Sequence, residues 1–111
     1  MGKPDPSALA EAMDRLWTQF LPQIEERVSI LESAGAAIVD GSLTPAQCAE
    51  ASSEAHKLAG VLGTFGLNHG TELAREAEQL YSHGPSSSSI LDGRPTALAA
   101  ELRAMLATRG K

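Results

Sequence analysis

His56 sits in the segment Ala55-His56-Lys57-Leu58-Ala59-Gly60-Val61-Leu62-Gly63. At 3.6 residues per turn, Ala51, Ala55, Leu58, Leu62 and Phe65 recur at spacings of four, three, four and three, the apolar stripe of a helix that packs against others. His56 falls off that stripe. At about 100° per residue, Gly60, Gly63, Ala49 and Ser52 lie within roughly 40° of it, on the side facing away from the core. An ordinary solvent face carries Lys, Glu and Gln, whereas this one carries an imidazole in a clearing of glycine, alanine and serine. Each Gly in a helix interior destabilises by about 1 kcal/mol relative to Ala. Two of them, one and two turns after a histidine, need a reason. Close helix packing around a half-buried His56 is one. The other is a nucleophilic imidazole that a bulky partner must approach closely, and it is preferred because the stripe already assigns packing to the opposite face.

Other chemistry is poorly supported. There is no GxxxxGK[ST] loop, no GxSxG elbow and no HExxH pair. His56, His69 and His83 are 13 and 14 residues apart, which matches no compact zinc signature. Glu72 and Glu76 share a helix face, but no Glu-x-x-His pair accompanies them, as a metal site in a helical bundle would require. No metal and no cofactor are therefore expected. His69 is assigned to the surface near the hairpin and His83 to the loop that follows the third long helix, and Cys48 is read as a small helix residue near the packing face.

The elements that must position His56 are helical. The 111 residues suffice for one domain, 1–111, with a single core. Apolar residues make up 42% and aromatics 4%, a composition that favours closely packed helices over a β-sandwich. The net charge of -5 comes without a basic patch, which argues against nucleic acid. No stretch approaches the ~20 apolar residues that span a bilayer, and no secretory leader is evident. One cysteine excludes an internal disulfide. A cytoplasmic protein that contacts neither membrane nor nucleic acid is expected.

Residues 1–6 read as a disordered lead. Met13, Trp17, Phe20, Ile24, Val28, Leu31, Gly35 and Ile38 then keep a three-four spacing, with Pro22 expected to bend the run or split off a short N-terminal helix. Asp40-Gly41-Ser42 stops the run. Thr44-Pro45 opens the His56 helix with a cap and Pro at the first helical position, Glu50 being too far along to complete a capping box. Phe65-Gly66 ends it. A further helix runs from about Asn68 to Tyr81 or Ser82, with Leu67 as a staple residue before it. A flexible Ser-rich loop is expected over 83–93. Arg94-Pro95-Thr96 starts the last helix, with Leu98, Leu102, Met105 and Leu106 as its apolar face. Short connections predict an all-α, up-down-up-down four-helix bundle with a short extra N-terminal helix, working as a monomer.

The run "AHKLAGVLGTFGLNHGTELAREA", Ala55 to Ala77, resembles the central segment of histidine-containing phosphotransfer (HPt) domains, and "LWTQFLPQIEERVSILE" is similar to the helix that precedes it in bacterial members. The matching features are His56, Gly60 four positions on, Gly63 near the helix end and the hairpin at Phe65-Gly66-Leu67. The resemblance covers about Leu16 to Ser82. It implies that His56 accepts a phosphoryl group from a receiver-domain aspartate and passes it to another, in a response regulator or hybrid sensor kinase. The protein would then be a carrier without its own nucleotide site, not an enzyme. Ser52, Ser53, Ala59, Gly60, Gly63 and Thr64 become the partner-facing residues.

Many members of the family carry a lysine three positions after the histidine; here that position is Ala59. Lys57, about 100° around the helix, is the candidate phosphoryl-supporting residue or a solvated surface lysine. The chemistry asks little more. Imidazoles titrate near about 6.5, so much of such a group is neutral and nucleophilic at cellular pH. Attack on an acyl phosphate needs in-line placement and charge neutralisation more than a strong base. Ser52 and Ser53 can hydrogen-bond the ring or the phosphoryl group, or serve as ordinary surface serines. A helical docking module that binds a receiver or kinase without phosphotransfer is the alternative, with Ala59 as its best support.

Overall fold

The computed structural model describes residues 6–85, 90 and 92–109. Four helices account for the architecture: α1 (Pro6–Asp40), α2 (Pro45–Thr64), α3 (Asn68–Ser82) and α4 (Arg94–Arg109). The all-α four-helix bundle read from the periodicity is the observed fold. Each helix packs on its neighbours in chain order, α1 also meets α4, and the pairs α1/α3 and α2/α4 stand diagonal. Turn chemistry fixes the corners. Gly41 and Gly66 adopt φ of +73° and +72°, and the amides that follow them bond back into the preceding helix, Ser42 to Ala37 and Leu67 to Leu62. These are left-handed C-terminal caps that glycine enters without strain.

Pro22 does not divide the first helix. It lies inside a continuous 35-residue α1, so the separate short N-terminal helix is not found and Pro6 is already helical. Proline removes one amide donor and crowds the carbonyl four residues back. Here Pro22 and Thr18 are both exposed, on the side where water can serve that carbonyl. Trp17, Ile24, Val28 and Leu31, all buried, keep the apolar stripe in phase across the proline. Packing on both sides outweighs the local defect. Trp17 meets Phe65 edge to face at 5.2 Å between ring centres, fastening α1 to the α2–α3 corner. Residues 7–16 lie beyond it, exposed or half-buried, in a molecule 59 Å long and 20 Å across.

Two further differences are local. The capping box of α2 is complete, because Gln47 supplies what Glu50 could not: its side chain accepts the Thr44 amide at 2.8 Å while Thr44 Oγ1 accepts the Gln47 amide at 3.1 Å. Ile90, assigned to a flexible loop, is fully buried in the core. Of the rest of that segment, residues 83–85, 92 and 93 lie outside the helices, in turns and a bend, while residues 86–89 and 91, like 1–5 of the lead, lie outside the described residues.

Polar ties set the register between adjacent helices. Arg27 pairs with Glu54 across α1 and α2, Arg94 with Glu76 across α3 and α4, and Arg103 with Glu32 across α4 and α1. Hydrogen bonds from Arg94 and Arg103 hold the carboxyls of Glu76 and Glu32 below their ordinary range. Replacing Pro22 tests whether α1 tolerates the proline only through packing. Pro22→Ala should raise the unfolding free energy by about 1–3 kcal/mol, read by urea titration. A lower midpoint would mean that the proline geometry is required.

Candidate functional site

The α2–α3 seam is built from small residues. Ala51, Ala55 and Ala59 on α2 are buried, as are Ala74 and Ala77 on α3. Side chains that stop at Cβ let the two backbones approach. The closeness shows in two hydrogen bonds from short hydroxyls to the opposite backbone, Ser52 Oγ to the Glu78 carbonyl and Thr71 Oγ1 to the Ala59 carbonyl, each 3.2 Å.

His56 stands on the shoulder of this seam with its side chain 74% exposed. Its Nδ1 lies 3.0 Å from Glu78 Oε2. An ionised carboxylate only accepts, so Nδ1 carries the proton and donates. In the neutral ring the lone pair then resides on Nε2, for which no hydrogen bond is found among the described residues. Glu78 thereby selects the tautomer and fixes the ring plane, the second-group control typical of functional histidines.

An open depression of about 300 Å³ lies beside the ring, lined by His56, Ala59, Gly60, Arg75, Glu78 and Gln79. A Cβ added at Gly60 would meet nothing within 4 Å, and one at Gly63 only Thr71 Oγ1 at 3.5 Å. Neither glycine is needed for packing within the bundle. Gly70 contrasts: there an added Cβ would fall 2.6 Å from Met105 and 3.0 Å from Leu62. The helix-packing account of Gly60 and Gly63 therefore fails, and both open onto solvent.

The other sequence candidates distribute unevenly. Lys57, Ser53, Gly63 and Thr64 are exposed on α2, with Thr64 Oγ1 bonded to the Gly60 carbonyl at 3.1 Å. Ser52 is half-buried and its hydroxyl is engaged by Glu78. Ala59 is only 5% exposed, so it forms the floor of the depression and offers a partner little surface. Lys57 is not among the residues lining it. Cys48 is buried, and burial pushes its thiol pKa up. His69 and His83 are exposed.

The sequence reading missed Arg75, Glu78 and Gln79. All three come from α3 and form a polar row at three- and four-residue spacing. The hairpin could have found them. Reflection about the turn pairs Ser52 with Glu78 and Ala59 with Thr71, so a residue at 56 must face about position 74 or 75, with its polar flanks beside the ring.

The family model described as Hpt domain matches residues 15–109. Over 66 residues the chain is 38% identical to Protein RcaC of Microchaete diplosiphon, a match covering 60% of this chain and 10% of RcaC. The chain thus spans about a tenth of that relative's length. No solved structure matches it significantly.

Tautomer control is open to direct measurement. Imidazole ¹⁵N shifts of the neutral ring should report the Nδ1–H form in the wild type, and Glu78→Ala should move the population toward Nε2–H. A wild-type ring protonated mainly on Nε2 would contradict the role assigned to Glu78.

Proposed function

Because this chain belongs to the Hpt domain family, a family of phosphotransfer carriers that interact with receiver domains in two-component systems, we propose that it relays a phosphoryl group between receiver aspartates through Nε2 of His56. The observation that carries the reading is an imidazole 74% exposed whose Nδ1 is held by a carboxylate at 3.0 Å. Such a ring presents a nucleophilic nitrogen outward without further activation.

The donor is a mixed anhydride, an aspartyl phosphate. The Nε2 lone pair forms the N–P bond as the P–O bond to the aspartyl carboxylate breaks, and the bonding pair leaves on that carboxylate. The proton on Nδ1 stays in place, so the ring becomes a phosphoimidazolium. Glu78 then faces a cation and stabilises it. The same positive charge makes the ring a good leaving group when a second aspartate attacks the phosphorus. One geometry serves both directions.

The bare surface at Gly60 and Gly63 supports the approach of a receiver, which must bring its own acidic pocket within bonding distance of Nε2. In-line placement supplies most of the rate in such a transfer. Among the described residues no helix is long and apolar enough to cross a membrane. A monomeric, cytoplasmic relay component, alone or within a larger kinase, completes the proposal.

Incubation with receiver domains charged by acetyl phosphate tests it. The wild type should acquire an acid-labile, base-stable phosphoryl group, and His56→Gln should abolish it while leaving the helical spectrum intact. Label persisting in that variant would move the site elsewhere. Receiver binding with no label from any charged receiver would identify a docking module instead. Gly60→Gln should slow transfer by obstructing the approach, yet raise stability by up to about 1 kcal/mol, since a non-glycine residue suits a helix interior better. Unimpaired transfer would show that the clearing is not an approach surface.

A further inference from the structure

We propose that Arg75 supplies the positive charge that faces the phosphoryl group on His56, taking from α3 the part for which α2 has only Ala59. This deepens the phosphotransfer reading of His56 and rests on it. Arg75 lines the depression beside the ring together with His56, Gly60, Glu78 and Gln79. It is exposed, so its guanidinium can follow an incoming group. It is also uncommitted. Arg27, Arg94 and Arg103 are held by Glu54, Glu76 and Glu32, whereas no ion pair among the described residues engages Arg75.

The local charge balance calls for such a group. Glu78 lies against the ring, and a phosphoryl dianion arriving at Nε2 would meet that carboxylate with nothing from the adjoining turn of α2 to offset it, because Ala59 is neutral and buried. Lys57 lies about 100° around the helix from His56 and outside the depression. Arg75 precedes Glu78 by three residues and Gln79 by four, so its side chain shares their face. A guanidinium offers several donors in a fork that matches two phosphoryl oxygens at once. Gln79 adds an amide donor on the same row.

Potassium phosphoramidate provides a probe that needs no partner protein. Nε2 attacks phosphorus as the P–N bond breaks, and the nitrogen, already protonated in the reagent's zwitterionic form, takes the bonding pair and leaves as ammonia. His69 and His83 are exposed as well, so the assay uses a His69→Gln/His83→Gln background in which label reports on His56. Arg75→Gln should slow labelling on the order of tenfold, as loss of one aimed charge does in an acyl or phosphoryl transfer site. Arg75→Lys should recover most of the rate, and Lys57→Gln should change it by less than about twofold, as expected of a screened surface charge. Raising the salt should slow the parent and leave Arg75→Gln nearly unaffected, a response that a purely structural role would not give. Labelling of Arg75→Gln at the parent rate, or a larger loss in Lys57→Gln, would overturn the assignment. Because phosphoramidate reacts with the imidazole directly, these outcomes stand whether or not a charged receiver transfers to His56. Failure with receivers alone would count against the relay and not against Arg75.

Discussion

The site exists because α2 and α3 meet through alanine. With Ala51, Ala55 and Ala59 against a helix whose buried residues include Ala74 and Ala77, the two backbones come within reach of a serine or threonine hydroxyl. That proximity lets the Glu78 carboxylate touch an imidazole rooted on the other helix. Leucine at the same seam positions would widen the gap and leave His56 with water alone at Nδ1. Alanine also has the highest intrinsic helix propensity, so close approach weakens neither helix. The larger residues Leu58, Leu62, Leu73 and Tyr81 fill the bundle's interior, away from the shoulder on which His56 stands.

Much of this was legible from periodicity. The stripe Ala51, Ala55, Leu58, Leu62 identified the buried side of α2, and the same stripe placed His56, Gly60 and Gly63 outside it. Stop signals at Gly41 and Gly66 located the corners, because a positive φ leaves few alternatives to glycine. The misreadings share a cause. Pro22, Ile90 and the row Arg75, Glu78 and Gln79 are all decided by contacts distant in sequence, whereas propensity and spacing describe one element at a time. Ile90 in particular lies beside four serines, whose composition signals a loop and says nothing about one apolar residue buried among the helices. Gln47 was a simpler oversight, three residues from its cap and visible to the capping-box pattern.

The two halves of α2 are held unequally. Gly60 weakens α2 in its second half, and no internal contact repays the loss, since a side chain there would meet nothing. The first half of the same helix carries a complete capping box with proline at its start. Arg27 and Glu54 anchor the turn just before the histidine to α1, and Ser52 anchors it to α3. The helix is thus held firmly up to His56 and left bare beyond it. A rigid base under an uncluttered surface suits the orientation and access that the proposed transfer asks of the ring.

The neutral residue at 59 has a consequence for how charge and packing are linked. A cation on α2 would keep its distance from His56 whatever the neighbouring helix did, because one helix fixes the spacing. A cation at 75 is placed by the hairpin register, as is the carboxylate at 78. The carboxylate on the ring and the proposed cation then depend on a single seam, and a slip of α3 by one residue would rotate its polar row by about 100° and remove them together. Thr71 and Ser52, bonding across the seam on either side of His56, oppose such a slip. Their hydroxyls are short, so they tolerate little displacement. The two residues that look least chemical in the neighbourhood therefore hold the electrostatics of the site in place.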